Sequence, residues 1–328
     1  MEILPYNFLL LLSLLLIPSY LPITIKNRSY GSRTKPNFPP GPPSSLHQFM
    51  KQPHQAIAQL SKIYGPVMFI QYGRIPTVVI SSAEDAEQLF KTHDIAFCNR
   101  VQLAGRKQLS YSYVDMALVL FGEYWREIRK ISALELFTKK RVQSFKVNRE
   151  EEVDALIDSV SSSLDTTAVN VFEKLASFTH ETTCRVAFGQ TRKQFDGRLV
   201  ELLREVAILT SLSPSDYFPE VSWIIDRVTG IHGKTEKCFH ELDDLLQQII
   251  DENDIPERLE LEHEDIIDVL LKLMKAQMST IRLTNDHIKA VILNIYLGGV
   301  DTTTGVMTWA MAELAKDSKY TIGNCLKD

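Results

Sequence analysis

Residues 285–316 read as one long, buried apolar helix, yet at its centre stands LGGVDTTT, Leu297 to Thr304. Gly298 and Gly299 each cost about 1 kcal/mol against alanine in a helix interior. Thr302, Thr303 and Thr304 are β-branched and lose side-chain freedom against the preceding turn. Two readings of this segment stay open. In one it is two helices: Gly298 or Gly299 ends the first in the left-handed conformation, and Asp301 or Thr302 caps the second. In the other it is a single helix with a local widening or kink, where the glycines let something planar approach the backbone. An aspartate beside a threonine there, facing an apolar pocket, is a potential proton relay.

The rest of the chain sets the class. From about Val119 onward the apolar period is helical over Phe121–Phe137, Val142–Ser162, Val169–Phe188, Gln194–Leu212, Lys234–Asp251, Glu264–Ala276 and Asn285–Lys316. Upstream, Leu46–Ile63 reads as a helix, and VMFIQYG and TVVISS as an antiparallel pair of strands. Ser81 with Glu84 gives a capping-box signal for a helix over Ser82–Lys91, and residues 98–118 read as irregular. The fold class is mainly α with a small β element near the N-terminus.

The stretch from Ile3 to Ile25 carries no charge. As a helix it reaches roughly 35 Å, enough to cross a hydrocarbon core. Pro18 and Pro22 weaken its second half, which puts the spanning part near Ile3–Leu21. Lys26, Arg28, Arg33 and Lys35 follow it, against Glu2 alone on the other side, so the body is expected in the cytosol. Asn27-Arg28-Ser29 is an opposing signal, a glycosylation acceptor if the body were lumenal. NFPPGPP, Asn37 to Pro43, reads as a stiff spacer between anchor and body. Beyond residue 35 there are 32 basic and 40 acidic residues, net −8, which argues against a nucleic-acid partner.

Cys98, Cys184, Cys238 and Cys325 are scattered, with no C-x-x-C, and the eight histidines form no zinc spacing. In GEYWREIRK, Trp125 and Arg129 are four apart and share a helix face. An indole N–H and a guanidinium suit an anionic group; the plain alternative is a core tryptophan beside a solvated arginine.

Taken together, FPPGPP, YGPVMFIQYGRIPTVVISSAEDAEQLFKTHD, FGEYWREIRK, NREEEV, CRVAFG and LGGVDTTT occur in one order and spacing. In these the chain resembles a plant microsomal cytochrome P-450, a haem-thiolate monooxygenase, from the anchor to about residue 316. The resemblance implies the N-terminal two-thirds of that fold after a transmembrane helix. The segments would be an anchor at 1–25, a basic and proline-rich hinge at 26–45, a partial catalytic domain at 46–316 and a divergent tail at 317–328. It implies that Trp125 and Arg129 bind the propionates of haem b (heme b). It further implies that Gly298 and Gly299 leave room for dioxygen, and that Asp301 and Thr302 are an acid–alcohol pair that delivers protons. Residues 101–118, 205–220 and the front of the central helix would line the pocket of a small apolar substrate. The implied partner is an NADPH-dependent reductase, docking on Arg126, Lys130, Lys139, Lys140 and Arg141. The implied location is the endoplasmic reticulum membrane, single-pass.

The family's E-x-x-R helix and cysteine loop are expected after the central helix, and the sequence ends first. Glu201–Arg204 and Glu123–Arg126 match E-x-x-R by letters but precede that helix, and Cys325 lacks the loop's frame. No axial cysteine is therefore assigned, and a metal site is not expected. Without the thiolate's electron push the oxygen chemistry is not expected from this stretch alone. Apolar residues of Val291–Leu297 and Val306–Ala312 would then be exposed. The alternative function is a non-catalytic, membrane-tethered helical fragment that binds the reductase or is degraded.

Overall fold

The computed structural model describes residues 38–43, 52–102, 106–162, 169–189, 196–211, 213–255, 264–277 and 280–316. The expected anchor, most of the hinge and the tail at 317–328 lie outside the described residues. Among the described residues, no helix is long and apolar enough to cross a membrane.

Pro53 opens α1, Pro53–Tyr64, at a first-turn position where its missing N–H costs nothing. Strand β1, Val67–Tyr72, pairs antiparallel with β2, Ile75–Ile80, in a register that sets Tyr72 opposite Ile75. Met68 and Ile70 point to one face by the two-residue period and are buried against Ile57, Leu60 and Tyr64. The described hinge residues are docked on β1. Phe38 stacks on Phe69 at 4.3 Å, and the Phe69 N–H donates to the Pro40 carbonyl at 3.0 Å. The hairpin tip meets the Pro214–Tyr217 turn, where the Arg74 N–H donates to the Tyr217 carbonyl at 2.8 Å. Gly73 is obligatory there, since φ is +61° and a Cβ would lie 2.4 Å from that carbonyl oxygen.

Helix α2, Ala83–Glu87, is capped by Ser82, whose hydroxyl accepts from the Asp85 N–H at 3.1 Å. The cap is thus one residue later than the expected Ser81. α2 widens into a π turn at Gln88–Thr92, followed by α3, Asp94–Phe97. The segment expected to be irregular holds a second short helix, α4, Arg106–Leu109. Next come α5, Glu123–Ile131, with a π turn at Ser132–Leu136, then α6, Lys139–Ser144, and α7, Lys146–Ser161. The single helix expected over Val142–Ser162 is broken at Phe145, whose ring turns into the core. α8, Val171–Phe188, is capped by Asn170. α9, Asp196–Leu209, is followed by α10, Ser222–Val228, in a stretch whose periodicity assigned no helix. α11, Ile231–Asn253, and α12, Ile266–Ala276, precede α13, Asn285–Lys316.

The large core joins α5, α8, α9, α11, α12 and α13 through Ile128, Phe188, Leu203, Leu242, Ile267 and Ile292, among others. α13 lies along α8 and crosses α11 and α12. NREEEV and CRVAFG, read as separate motifs, meet here. Arg185 on α8 forms ion pairs with Glu151 and with Glu152 on α7, the latter at 3.0 Å.

Candidate functional site: the open face of α13

The backbone is helical through residues 298–304, so the two-helix reading of LGGVDTTT is overturned. The Thr302 hydroxyl donates to the Gly298 carbonyl at 2.6 Å, so its proton is satisfied within its own helix. Tertiary packing overrides the poor local propensity.

At about 100° per residue, α13 presents two unlike faces. Ile292, Leu293, Tyr296, Val300 and Thr304 are buried on one. Two polar links hold that face on α8. His180 Nδ1 and the Tyr296 hydroxyl lie 2.7 Å apart, and the Thr179 and Thr304 hydroxyls 2.6 Å. Gly298, Asp301 and Thr302 lie on the other face and are exposed. The two glycines part company. A Cβ on Gly298 would meet nothing within 4 Å, while one on Gly299 would lie 3.5 Å from Thr183 Oγ1 of α8. The expected apolar surface divides as well. Val291, Ile292, Leu293 and Tyr296 are buried, against expectation, because α8, α11 and α12 cover that half of the helix. Farther along, Val306 is 71% and Trp309 70% exposed, on the Gly298 side.

Trp125 is half-buried on α5, with its ring 5.4 Å from that of Phe121. The Arg129 guanidinium sits 5.1 Å from the Trp125 ring centre, a cation–π contact, and is exposed. Among the described residues Arg129 forms no ion pair. α5 is moored beside the start of α13. The Tyr124 ring lies 5.7 Å from that of His287, and its hydroxyl donates to the Val114 carbonyl at 2.5 Å. Burial lowers His287, with Asp286 opposing, so its ring is neutral at physiological pH.

Asn294 and Asp115 were missed in the sequence. Asn294 stands one turn before Gly298, on the same face, and its Oδ1 accepts from the Ala117 N–H at 3.0 Å. Asp115 is buried, and its Oδ1 accepts from the Ala117 and Leu118 N–H groups at 2.9 Å. Burial raises its pKa, while these hydrogen bonds and Asn294 oppose the rise. The segment before α5 is thus stitched to the front of the Gly298 face. The four-residue step from Asn294 to Gly298 is the one signal that pointed there.

Three cysteines are described, and none joins the Gly298 face. Cys184 and Cys238 are buried in the helical core, and Cys98 contacts the Ile95 carbonyl. Burial, then Glu205 and Glu241, push the Cys238 thiol up to about 11, so it is no thiolate at neutral pH. A cleft of roughly 280 Å³ opens between α4, α10 and α11, lined by Gln108, Trp223, Asp226 and His232 among others. It includes none of the six residues assigned from the sequence. Of the basic residues grouped as a docking face, Arg141 is already held by Glu264, with Nη1 and Nη2 each 3.0 Å from Oε2. Arg126, Lys130, Lys139 and Lys140 are exposed.

Residues 39–321 match the family model of Cytochrome P450. Cytochrome P450 71B36 of Arabidopsis thaliana is 43% identical over 320 residues, which cover 95% of this chain and 63% of that protein. Strychnine-11-hydroxylase of Strychnos nux-vomica is 36% identical and 2-methylbutanal oxime monooxygenase of Manihot esculenta 35%. They cover 95% and 96% of this chain, and 63% of each relative. A zebra fish cytochrome P450 structure with progesterone superposes with a TM-score of 0.65 at 20% identity, over 80% of this chain and 59% of that one. The chain therefore spans just under two thirds of the length of the curated relatives it matches. A long helix with Gly298, Asp301 and Thr302 on its open face, a Trp125–Arg129 helix moored beside it and a match over nearly the whole chain lead to one conclusion: this chain belongs to the cytochrome P450 family.

Proposed function

We propose that this chain forms the oxygen- and substrate-side wall of a haem-dependent monooxygenase that acts on a small apolar molecule. The carrying observation is the open face of α13. Gly298 has no neighbour within 4 Å of a would-be Cβ, and Asp301 and Thr302 stand beside it. That face fits a flat apolar group. Exposed Arg129, with Trp125 beneath it, fits the group's carboxylates through charge-assisted hydrogen bonds. Haem, when bound, would supply the oxygen-activating redox chemistry, with a cysteine thiolate needed from outside the described residues.

The roles of the chain's own residues follow. Gly298 leaves the space open. Thr302 holds a hydroxyl at the face, with its proton on the Gly298 carbonyl and its lone pairs free to accept. Asp301, one residue away and in contact with water, can resupply a proton to that hydroxyl. The relatives named strychnine-11-hydroxylase and 2-methylbutanal oxime monooxygenase support an oxygenase reading. NADPH-derived electrons would arrive from a reductase docked on Arg126, Lys130, Lys139 and Lys140. A membrane anchor at 1–25 would keep the body on the cytosolic side of the endoplasmic reticulum.

The test is a chimera that joins residues 1–316 to the corresponding remainder of Cytochrome P450 71B36, expressed in membranes. A thiolate-type band in the reduced CO-difference spectrum is expected, with haem content lowered by Arg129→Ala. A folded chimera without haem would overturn the proposal. A glycosidase-sensitive shift at Asn27 would overturn the topology.

The second reading, an interaction fragment, draws on Lys139 and Lys140, which are exposed and form no ion pair among the described residues. Capture of reductase by the 328-residue chain, abolished by charge reversal at both lysines, would favour it.

A further inference from the structure

Tyr111, Ser112 and Tyr113 have φ of 51°, 62° and 64°. Three successive non-glycine residues in the left-handed region are unfavourable, the tyrosines most of all. Local bonds hold the turn in part. The Ser112 N–H donates to the Lys107 carbonyl at 2.8 Å, and the Tyr113 N–H to Ser110 Oγ at 3.1 Å. The remaining restraint comes from two distant helices. The Tyr111 hydroxyl donates to Asp243 Oδ1 on α11 at 2.9 Å. Lys289 Nζ, on α13, reaches the same oxygen at 2.5 Å. Only 4% of the Lys289 side chain is exposed, in the run IKAVIL where a lysine is least expected. Its ammonium lies 5.9 Å from the Tyr111 ring centre, and the Phe239 ring 5.3 Å from it. Burial, with Asp243 adding to it, raises the Tyr111 pKa, so the phenol stays a donor.

We propose that Tyr111, Asp243 and Lys289 form a latch that sets residues 110–118 against the front of α13, so that Ala117 seats on Asn294 one turn before Gly298. These three are positioning residues, acting on the site through the loop. That the loop walls a substrate space rests on the function proposed above; the latch itself does not.

Hydrogen exchange on the full 328-residue chain in detergent micelles, without haem or substrate, tests it. Tyr111→Phe keeps the ring and removes one charge-assisted hydrogen bond. The Ala117 and Leu118 amides are expected to exchange about tenfold faster, while α8 amides keep their rates. Lys289→Met should act in the same direction. Adding exposed Ser112→Gly to Tyr111→Phe should slow those amides again at least about threefold, because glycine adopts positive φ without strain. Unchanged Ala117 and Leu118 rates in Tyr111→Phe would overturn the latch. So would equal acceleration in α8, or no recovery with Ser112→Gly. Since no cofactor is present, a chain that proves inactive as an oxygenase still reports on the latch.

Discussion

The Thr179–Thr304 pair yields an unusually asymmetric prediction. Both side chains are 3% exposed, and their oxygens are 2.6 Å apart across the α8–α13 seam. Thr179 also donates to its own helix, to the Leu175 and Ala176 carbonyls at 3.1 Å. Its one proton is thereby used, so Thr304 is the donor of the shared bond. Thr304→Val then removes a donor and strands nothing, at about 1 kcal/mol. Thr179→Val strands the buried Thr304 hydroxyl and costs about 2 kcal/mol. The double valine variant replaces both partners by apolar groups of the same shape and should lie within about 0.5 kcal/mol of the wild type. The coupling between the sites is then about 2 kcal/mol or more. Urea unfolding of the four proteins, followed by far-ultraviolet circular dichroism at unchanged slope, measures it. Additive single effects would refute the reasoning. So would a cheap Thr179→Val, which would mean that Thr304 turns its proton to its own helix.

Three further outcomes follow from local geometry. Glu264 lies between Arg141 and Lys272; burial pushes its carboxyl up, but the two cations outweigh that and hold it below the ordinary value of 4.5. Its folded pKa being the lower one, the stabilisation is complete above pH 4.5 and is lost as pH falls through the folded value. Glu264→Gln should therefore cost about 1 kcal/mol at pH 7 and nothing in strong acid, as read from urea midpoints at the two pH values. Gly189 ends α8 with φ of +60°, and a Cβ there would lie 2.5 Å from Oδ2 of Asp265, the residue whose other carboxylate oxygen caps α12. Gly189→Ala should cost about 2 kcal/mol or more in thermal unfolding. Gly298→Ala should instead stabilise the isolated chain by about 1 kcal/mol, because the space around it is open. A loss of stability there would show that the face is filled.

Much of the helical framework was legible because apolar period survives burial. The 285–316 helix and the end of α8 at Phe188 came out at the residues expected. Boundaries slipped where a single side chain chose. Ser82 capped α2 in place of Ser81, and Phe145 turned inward and split one expected helix in two. Trp125 and Arg129 were legible as a shared face because i and i+4 positions adjoin on any helix. Asn294 and the Tyr111–Asp243–Lys289 group were not, because their partners lie 177, 132 and 46 residues away. Nothing in Tyr111-Ser112-Tyr113 signals left-handed backbone, since no glycine marks it.

From the sequence by itself, the mainly helical class and the residues that share the central helix could be read from a 3.6-residue apolar period, and the family from the resemblance of ordered motifs that the comparisons bear out. The sequence left open whether LGGVDTTT bends, breaks or runs on, because propensities of about 1 kcal/mol per residue cannot decide between those states. Tertiary structure decided it. Burial of Tyr296, Val300 and Thr304 against α8 holds the helix whole and turns Gly298, Asp301 and Thr302 outward. It also separated two glycines that look identical in the sequence, because a step of about 100° takes one to open space and the other to Thr183.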